Sequence, residues 1–197
     1  MKNLNLISLS LFLVLGSIGL QAQYYTFSHL NEAYESIQNP DFSITDSTAI
    51  DTSSAMVTVF YTNPNIMAFG ETLTGLMQAG PDGSLVALGT EYDFIFDPFF
   101  TDLRARGDSE FRATEAIQGN DTIFEMEWYH LGLEGAPPTD FVTIKARFYI
   151  TQELIEFHFG ESQVQPDHEY PFGPFCGLFH ATQGFGSYIE VMALTGD

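Results

Sequence analysis

The stretches "DTIFEMEWYHL" (residues 121–131) and "FVTIKARFYI" (residues 141–150) decide the fold of this chain. In the first, Phe124, Met126, Trp128 and His130 fall on one side of an extended backbone. Ile123, Glu125, Glu127 and Tyr129 fall on the other. In the second, Val142, Ile144, Ala146, Phe148 and Ile150 face one way, and Thr143, Lys145, Arg147 and Tyr149 the other. Alternation of period two over such lengths is the signature of a half-buried strand; a helix would scatter the charges around its circumference.

"LIEFHFG" (residues 154–160) continues the pattern, with Ile155, Phe157 and Phe159 inward and Glu156 and His158 outward. The outward side chains give an independent test of the arrangement. The middle segment offers Lys145 and Arg147, and its neighbours offer Glu125 and Glu127 on one side and Glu156 on the other. Opposite charges on adjacent strands place the middle segment between the other two in an antiparallel meander. A two-residue turn at Gln152-Glu153 would pair Thr151 with Leu154, Tyr149 with Glu156 and Arg147 with His158, keeping outward with outward.

Further strands are expected at residues 24–28, 55–62, 84–88, 92–96 and 187–194, with a hairpin tip at Pro81-Asp82-Gly83. "SHLNEAYESI" (residues 28–37) reads equally as a short helix or an irregular edge strand. Many short strands, frequent Gly and Pro, 19 Phe and 9 Tyr point to an all-β protein. The expected fold is an antiparallel, jelly-roll-like β-sandwich with at most short helical turns.

The first 22 residues have the layout of a secretory signal peptide: Lys2, an apolar run to Leu20, then small residues ending at Ala22. Its apolar run is short for a spanning helix and is interrupted by Ser8, Ser10, Gly16 and Ser17. Residues 23–197 then form one domain, exported to the cell surface or medium, with no membrane insertion after the leader is removed. A formal charge of −20 repels nucleic acid and anionic lipid. It suits solubility and divalent cations, calcium among them, although no ligand set is legible. Asp41, Asp46 and Asp51 lack the dense alternation of an EF-hand loop, and no cysteine–histidine cluster has zinc spacing. With the single Cys176 no internal disulfide forms, so core packing must hold the domain.

The order of "GPDGSLVAL", "DPFFTDL", the Glu127-Trp128 pair and Ile155 to Gly160 resembles the N-terminal β-sandwich domains of secreted Bacteroidetes proteins of the type IX secretion (sorting-domain) kind. That resemblance implies export and a sandwich, as the N-terminal part of a longer protein, and no particular activity. The chain departs from it by ending "SYIEVMALTGD", without a basic sorting tail.

Candidate sites follow from residue type. Glu125 and Glu127 share a strand face but stand opposite Lys145 and Arg147, which keeps them ionised and unfit as general acids. Cys176 and His180 lie four apart on a strand, about 13 Å between side chains, too far for a thiol and its base. The expected role is therefore non-catalytic, an interaction or structural domain for an extracellular protein or glycan. The alternative is a carbohydrate-binding, lectin-like module assisted by calcium. For either, the binding residues are Tyr129, Tyr149, Glu125 and Glu127 on an exposed sheet face. Arg106-Gly107-Asp108, the tripeptide that integrins recognise, falls where a turn is expected. Gly107 suits a positive φ there, with Asp108 and Ser109 as local hydrogen-bonding partners.

Overall fold

A computed structural model describes residues 33–45, 57–60, 67–68, 71–80, 83–89, 93–100, 103–150, 152, 154–165, 175–180 and 189–191. The leader, the expected strand at residues 24–28, and Asp46 and Asp51 lie outside these residues. The strands are β1 (Phe42–Ile44), β2 (Val57–Phe60), β3 (Met67–Ala68), β4 (Glu71–Ala79), β5 (Leu85–Gly89), β6 (Asp93–Phe100) and β7 (Leu103–Arg104). They continue with β8 (Glu110–Gln118), β9 (Asp121–Leu133), β10 (Val142–Tyr149), β11 (Leu154–Phe159), β12 (Phe175–His180) and β13 (Ile189–Val191). Among the described residues no helix is long and apolar enough to cross a membrane.

The strands form two antiparallel sheets. One runs β1-β8-β9-β10-β11, with β7 joining β9; the other runs β13-β12-β6-β5-β4-β2, with β3 joining β4. The core between them is built from the inward faces read in the sequence. Phe124, Met126, Trp128, Ile144, Ala146 and Phe148 from the first sheet bury against Leu73, Met77, Leu85, Phe94 and Phe96 from the second. Phe96 meets Phe148 edge to face at 5.2 Å, and the Trp128 indole N–H donates across to the Gly80 carbonyl at 3.2 Å. Burial of one large apolar side chain contributes roughly 1.5–3 kcal/mol, so this aromatic layer is a large stabilising contribution that needs no disulfide.

The β4–β5 hairpin turns where "GPDG" placed it, with Gly83 at φ 78° and the Gly80 N–H donating to the Ser84 carbonyl at 2.7 Å. β10 lies between β9 and β11 as its charges demand, Lys145 opposite Glu127 and Arg147 opposite both Glu125 and Glu156. The hairpin register differs from expectation. Tyr149 pairs with Leu154, Arg147 with Glu156 and Lys145 with His158. The connection is longer because Ile150 is drawn into the core, its N–H donating to the Thr122 carbonyl at 3.0 Å. The shift is by two positions, so each side chain keeps its face.

His130 is a second departure. Between Trp128, opposite Ile144, and Leu131, opposite Val142, β9 carries one residue more than β10. That extra residue is a β-bulge with His130 at φ 52°. Beyond it the inward parity reverses, Leu131 and Leu133 enter the core, and His130 turns out of it. The stretch 33–37 is neither helix nor strand; it is a strap, described next.

Candidate functional site

The outer face of the first sheet is a grid of side chains set by strand register. One row reads Arg112, Glu127, Lys145, His158; the next reads Thr114, Glu125, Arg147, Glu156. Signs alternate along each row, so every acid has a cation beside it. Arg147 Nε donates to Glu125 Oε1, Lys145 Nζ lies 3.5 Å from the same oxygen, and Arg112 reaches Glu110 at 2.7 Å and Glu127 at 3.3 Å.

Residues 33–41 cross this face before entering β1. The strap starts over β11, where the Tyr34 ring lies so close to Gly160 that a Cβ there would sit 2.8 Å from it. It passes β10, whose Lys145 ammonium donates to the Glu35 carbonyl. Over β9 it converges on Glu127. That carboxylate accepts from the Tyr34 hydroxyl, from Ser36 Oγ at 3.0 Å, from the Ile37 N–H at 3.2 Å and from Arg112. The strap ends at β8, where Asp41 accepts from Thr114 Oγ1 at 2.8 Å and the Glu115 N–H at 3.0 Å. Those two bonds, the backbone one first, hold Asp41 below the usual carboxylate range.

Glu127 is 0% and Glu125 8% exposed. Both were expected on an open binding face; instead both are buried, Glu127 beneath the strap and Glu125 against Arg147 and Lys145. A buried carboxylate is tolerated only when its oxygens are saturated with donors, and Glu127 meets that condition. Burial and the bond to Glu127 raise the Tyr34 pKa well above its usual value. Burial also lowers the Lys145 pKa, against the opposing pull of Glu125.

The two tyrosines point outward, as read; Tyr129 is covered on its ring faces, and Tyr149 is tied down through its hydroxyl. His130 stacks on the Tyr129 ring at 4.0 Å and 11°, and the Arg112 guanidinium sits 4.1 Å from the same centroid. Two groups at that distance cannot share one face, so both faces of Tyr129 are occupied. The Tyr149 hydroxyl donates to Glu156 at 2.8 Å. Burial and that bond push its pKa up to about 12.

At one end of this sheet the loops build a cleft of about 280 Å³. Its lining includes the charged Arg104, Arg106, Asp108 and Asp140 and the apolar Leu133, Ala136 and Pro137-Pro138 pair. The Arg-Gly-Asp tripeptide is thus a cleft wall. Gly107 is not among the glycines with positive φ, so its conformation demands no glycine, and a Cβ there would meet nothing within 4 Å. The turn is held by Ser109, which accepts from the Arg106 N–H and donates to the His130 carbonyl, each at 2.7 Å.

Asp108 leans on His130 Nδ1 at 2.9 Å, and this bond keeps its carboxyl below the usual range. The Arg106 guanidinium lies over the Phe141 ring at 5.1 Å. Its Nη1 reaches the Thr139 and Asp140 carbonyls only at 3.5 and 3.4 Å. Sequence reasoning took this tripeptide for a turn and missed the rest of the cleft lining. The Pro-Pro dipeptide after Gly135-Ala136 was the available signal.

Among the described residues no three His, Cys, Asp or Glu side chains gather as metal ligands. Cys176 and His180 both lie on β12, and their side chains fall outside the described set. Comparison with protein families, with curated proteins and with solved structures finds no match to this chain.

Proposed function

We propose that this protein is an exported, non-catalytic interaction domain that meets an extracellular protein partner through the loop end bearing the cleft. The observation that carries the reading is how the cations are used. Arg112, Lys145 and Arg147 are consumed within the sheet face, whereas Arg104 and Arg106 line the cleft. Loops at the end of a rigid sandwich are where recognition residues gather, because the scaffold holds them without needing them for the core. The leader and the resemblance of the chain to secreted sandwich domains support export.

The alternative, a glycan-binding module, needs an open aromatic face for a sugar ring. The Tyr129 ring is already covered by His130 and Arg112, and the Tyr149 hydroxyl is bound to Glu156, so the sheet face favours it less than the cleft. The test compares the protein with its Gly107→Trp variant, which fills the cleft from an exposed position that nothing crowds. Thermal unfolding is followed against panels of peptides and of glycans. The expected result is a melting temperature raised by peptides in the parent protein and unchanged in the variant. Shifts with glycans alone would replace the reading with the lectin one, and peptide shifts that survive Gly107→Trp would move the site elsewhere.

A further inference from the structure

We infer that the cleft binds a carboxylate carried on a small apolar group, with Arg106 as the fork that holds it and Arg104 as the cation at its mouth. The inference rests on the proposed loop-end reading and names its ligand chemistry. The first argument is the donor inventory of Arg106. A guanidinium has five N–H donors in a fixed plane. Among the described residues this one uses only Nη1, at 3.4 and 3.5 Å to two carbonyls. Its nearest carboxylate, Asp108, holds Oδ1 a long 4.0 Å from Nε, while Oδ2 meets His130 Nδ1 at 2.9 Å. A partly buried fork short of acceptors matches the two oxygens of a carboxylate.

The second argument is how Arg106 is held. A Cβ on Gly132 would meet Arg106 Cγ and Cδ at 3.0 Å, tighter than an ordinary contact, so the missing side chain at residue 132 lets the arginine stem lie close against β9. Its guanidinium lies over the Phe141 ring at 5.1 Å. The fork is pre-oriented, which reduces the entropy lost on binding.

The third argument is charge and polarity. The chain has six basic residues: Lys2 in the leader, three in the sheet face, and the two of this cleft. Arg104 meets Glu134 at 3.6 Å with both side chains about half exposed, a pairing that an incoming anion can displace. At a formal charge of −20 the whole surface repels polyanions over roughly a Debye length, about 8 Å at physiological salt. A single carboxylate entering the cleft meets Arg104 and Arg106 beside two acids already engaged elsewhere, Asp108 by His130 and Asp140 by the Gln165 N–H and the Thr139 hydroxyl. Leu133 and the two prolines, which have no N–H to donate, line the same cleft, and this apolar lining suits an aliphatic group better than a sugar acid.

The test titrates the isotopically labelled protein with N-acetyl-leucine, which mimics a peptide carboxy-terminus. Isovalerate is titrated as a free small acid, N-acetyl-leucinamide as the uncharged control and glucuronate as a polar acid, with amide chemical shifts as the readout. N-acetyl-leucine is expected to shift Gly107, Gly132 and Ala136 saturably, with a dissociation constant of about millimolar for so small a probe. Isovalerate matching it would identify a free acid as the source, and isovalerate binding more weakly would identify a peptide terminus. Arg106→Lys, which keeps the charge and loses the fork, should weaken binding by about tenfold; Arg104→Ala should weaken it less, at an exposed position that costs little stability. The inference is overturned if the amide binds as well as the acid, if glucuronate binds as well as N-acetyl-leucine, if neither arginine variant changes the affinity, or if no probe saturates. Equal binding of the amide overturns the carboxylate while leaving the loop-end reading intact.

Discussion

The sheet face under the strap and the cleft at the loop end use the same residue types for opposite ends. On the sheet face Arg112, Lys145 and Arg147 interlock with Glu125 and Glu127, and the strap covers Glu127 and Lys145, which are almost wholly out of water. Glu127 accepts four hydrogen bonds at 0% exposure. In the cleft Arg104 and Arg106 meet acids only at 3.6 and 4.0 Å, and the side chains of those acids, Glu134 and Asp108, are more than half exposed. The difference teaches where to look for function in a strongly charged surface. Density of charge is a poor guide, whereas unspent hydrogen-bonding capacity in a concave place is a good one.

The largest effect should come from Glu127→Ala. It strands the Tyr34 and Ser36 hydroxyls, the Ile37 N–H and an arginine that had shared its charge, all partly or wholly out of water. Removing one partner of such a buried pair costs about 3–5 kcal/mol. Urea unfolding should show the loss, and hydrogen exchange should show residues 33–41 freed first. A loss below about 1 kcal/mol would mean that the strap is not held through Glu127, and the contrast between the two regions would fail.

A smaller effect follows from alkali. Tyr34 and Tyr149 both have folded pKa values above the ordinary 10.0, so the native state keeps protons that the unfolded chain has lost. Their stabilisation is fully present below pH 10 and is lost as pH rises through the folded values, about 12 for Tyr149. Lys145, with a lowered folded pKa, works in the opposite direction in part of that window. Urea midpoints between pH 9 and 11 should therefore fall in the parent protein. They should fall less steeply in Tyr34→Phe, which has no phenol under the strap to ionise. Equal slopes would detach Tyr34 from the network.

The smallest effect should be that of Arg104→Ala on stability, well under 1 kcal/mol, because its ion pair with Glu134 is long and exposed. Thermal unfolding checks it. A drop of several degrees would show that the cleft arginines, like those of the sheet, are structural.

Much of this molecule was legible before its structure. The alternation in residues 121–131 and 141–150 placed Phe124, Met126, Trp128, Ile144 and Phe148 in the core, and the columns of opposite charge put β10 between β9 and β11. β8 was missed because its inward residues, Phe111 and Ala113, make a weak stripe inside "EFRATEAIQ". His130 was assigned inward because a bulge leaves no mark in a period-two pattern. The candidate binding face was legible as a face and illegible as a covered one.

What the sequence by itself determined is therefore local: which segments are strands, which side of each is apolar, and which charges can stand opposite one another. These follow from a repeat of two residues and from pairing between neighbours in the chain. Only the tertiary structure decided that the polar face is roofed and that the Arg-Gly-Asp turn walls a cleft. The bonds responsible join residues far apart in sequence, Tyr34 to Glu127 across 93 positions and Arg106 to Asp140 across 34. No local periodicity encodes such contacts; they exist only once the sheets have closed.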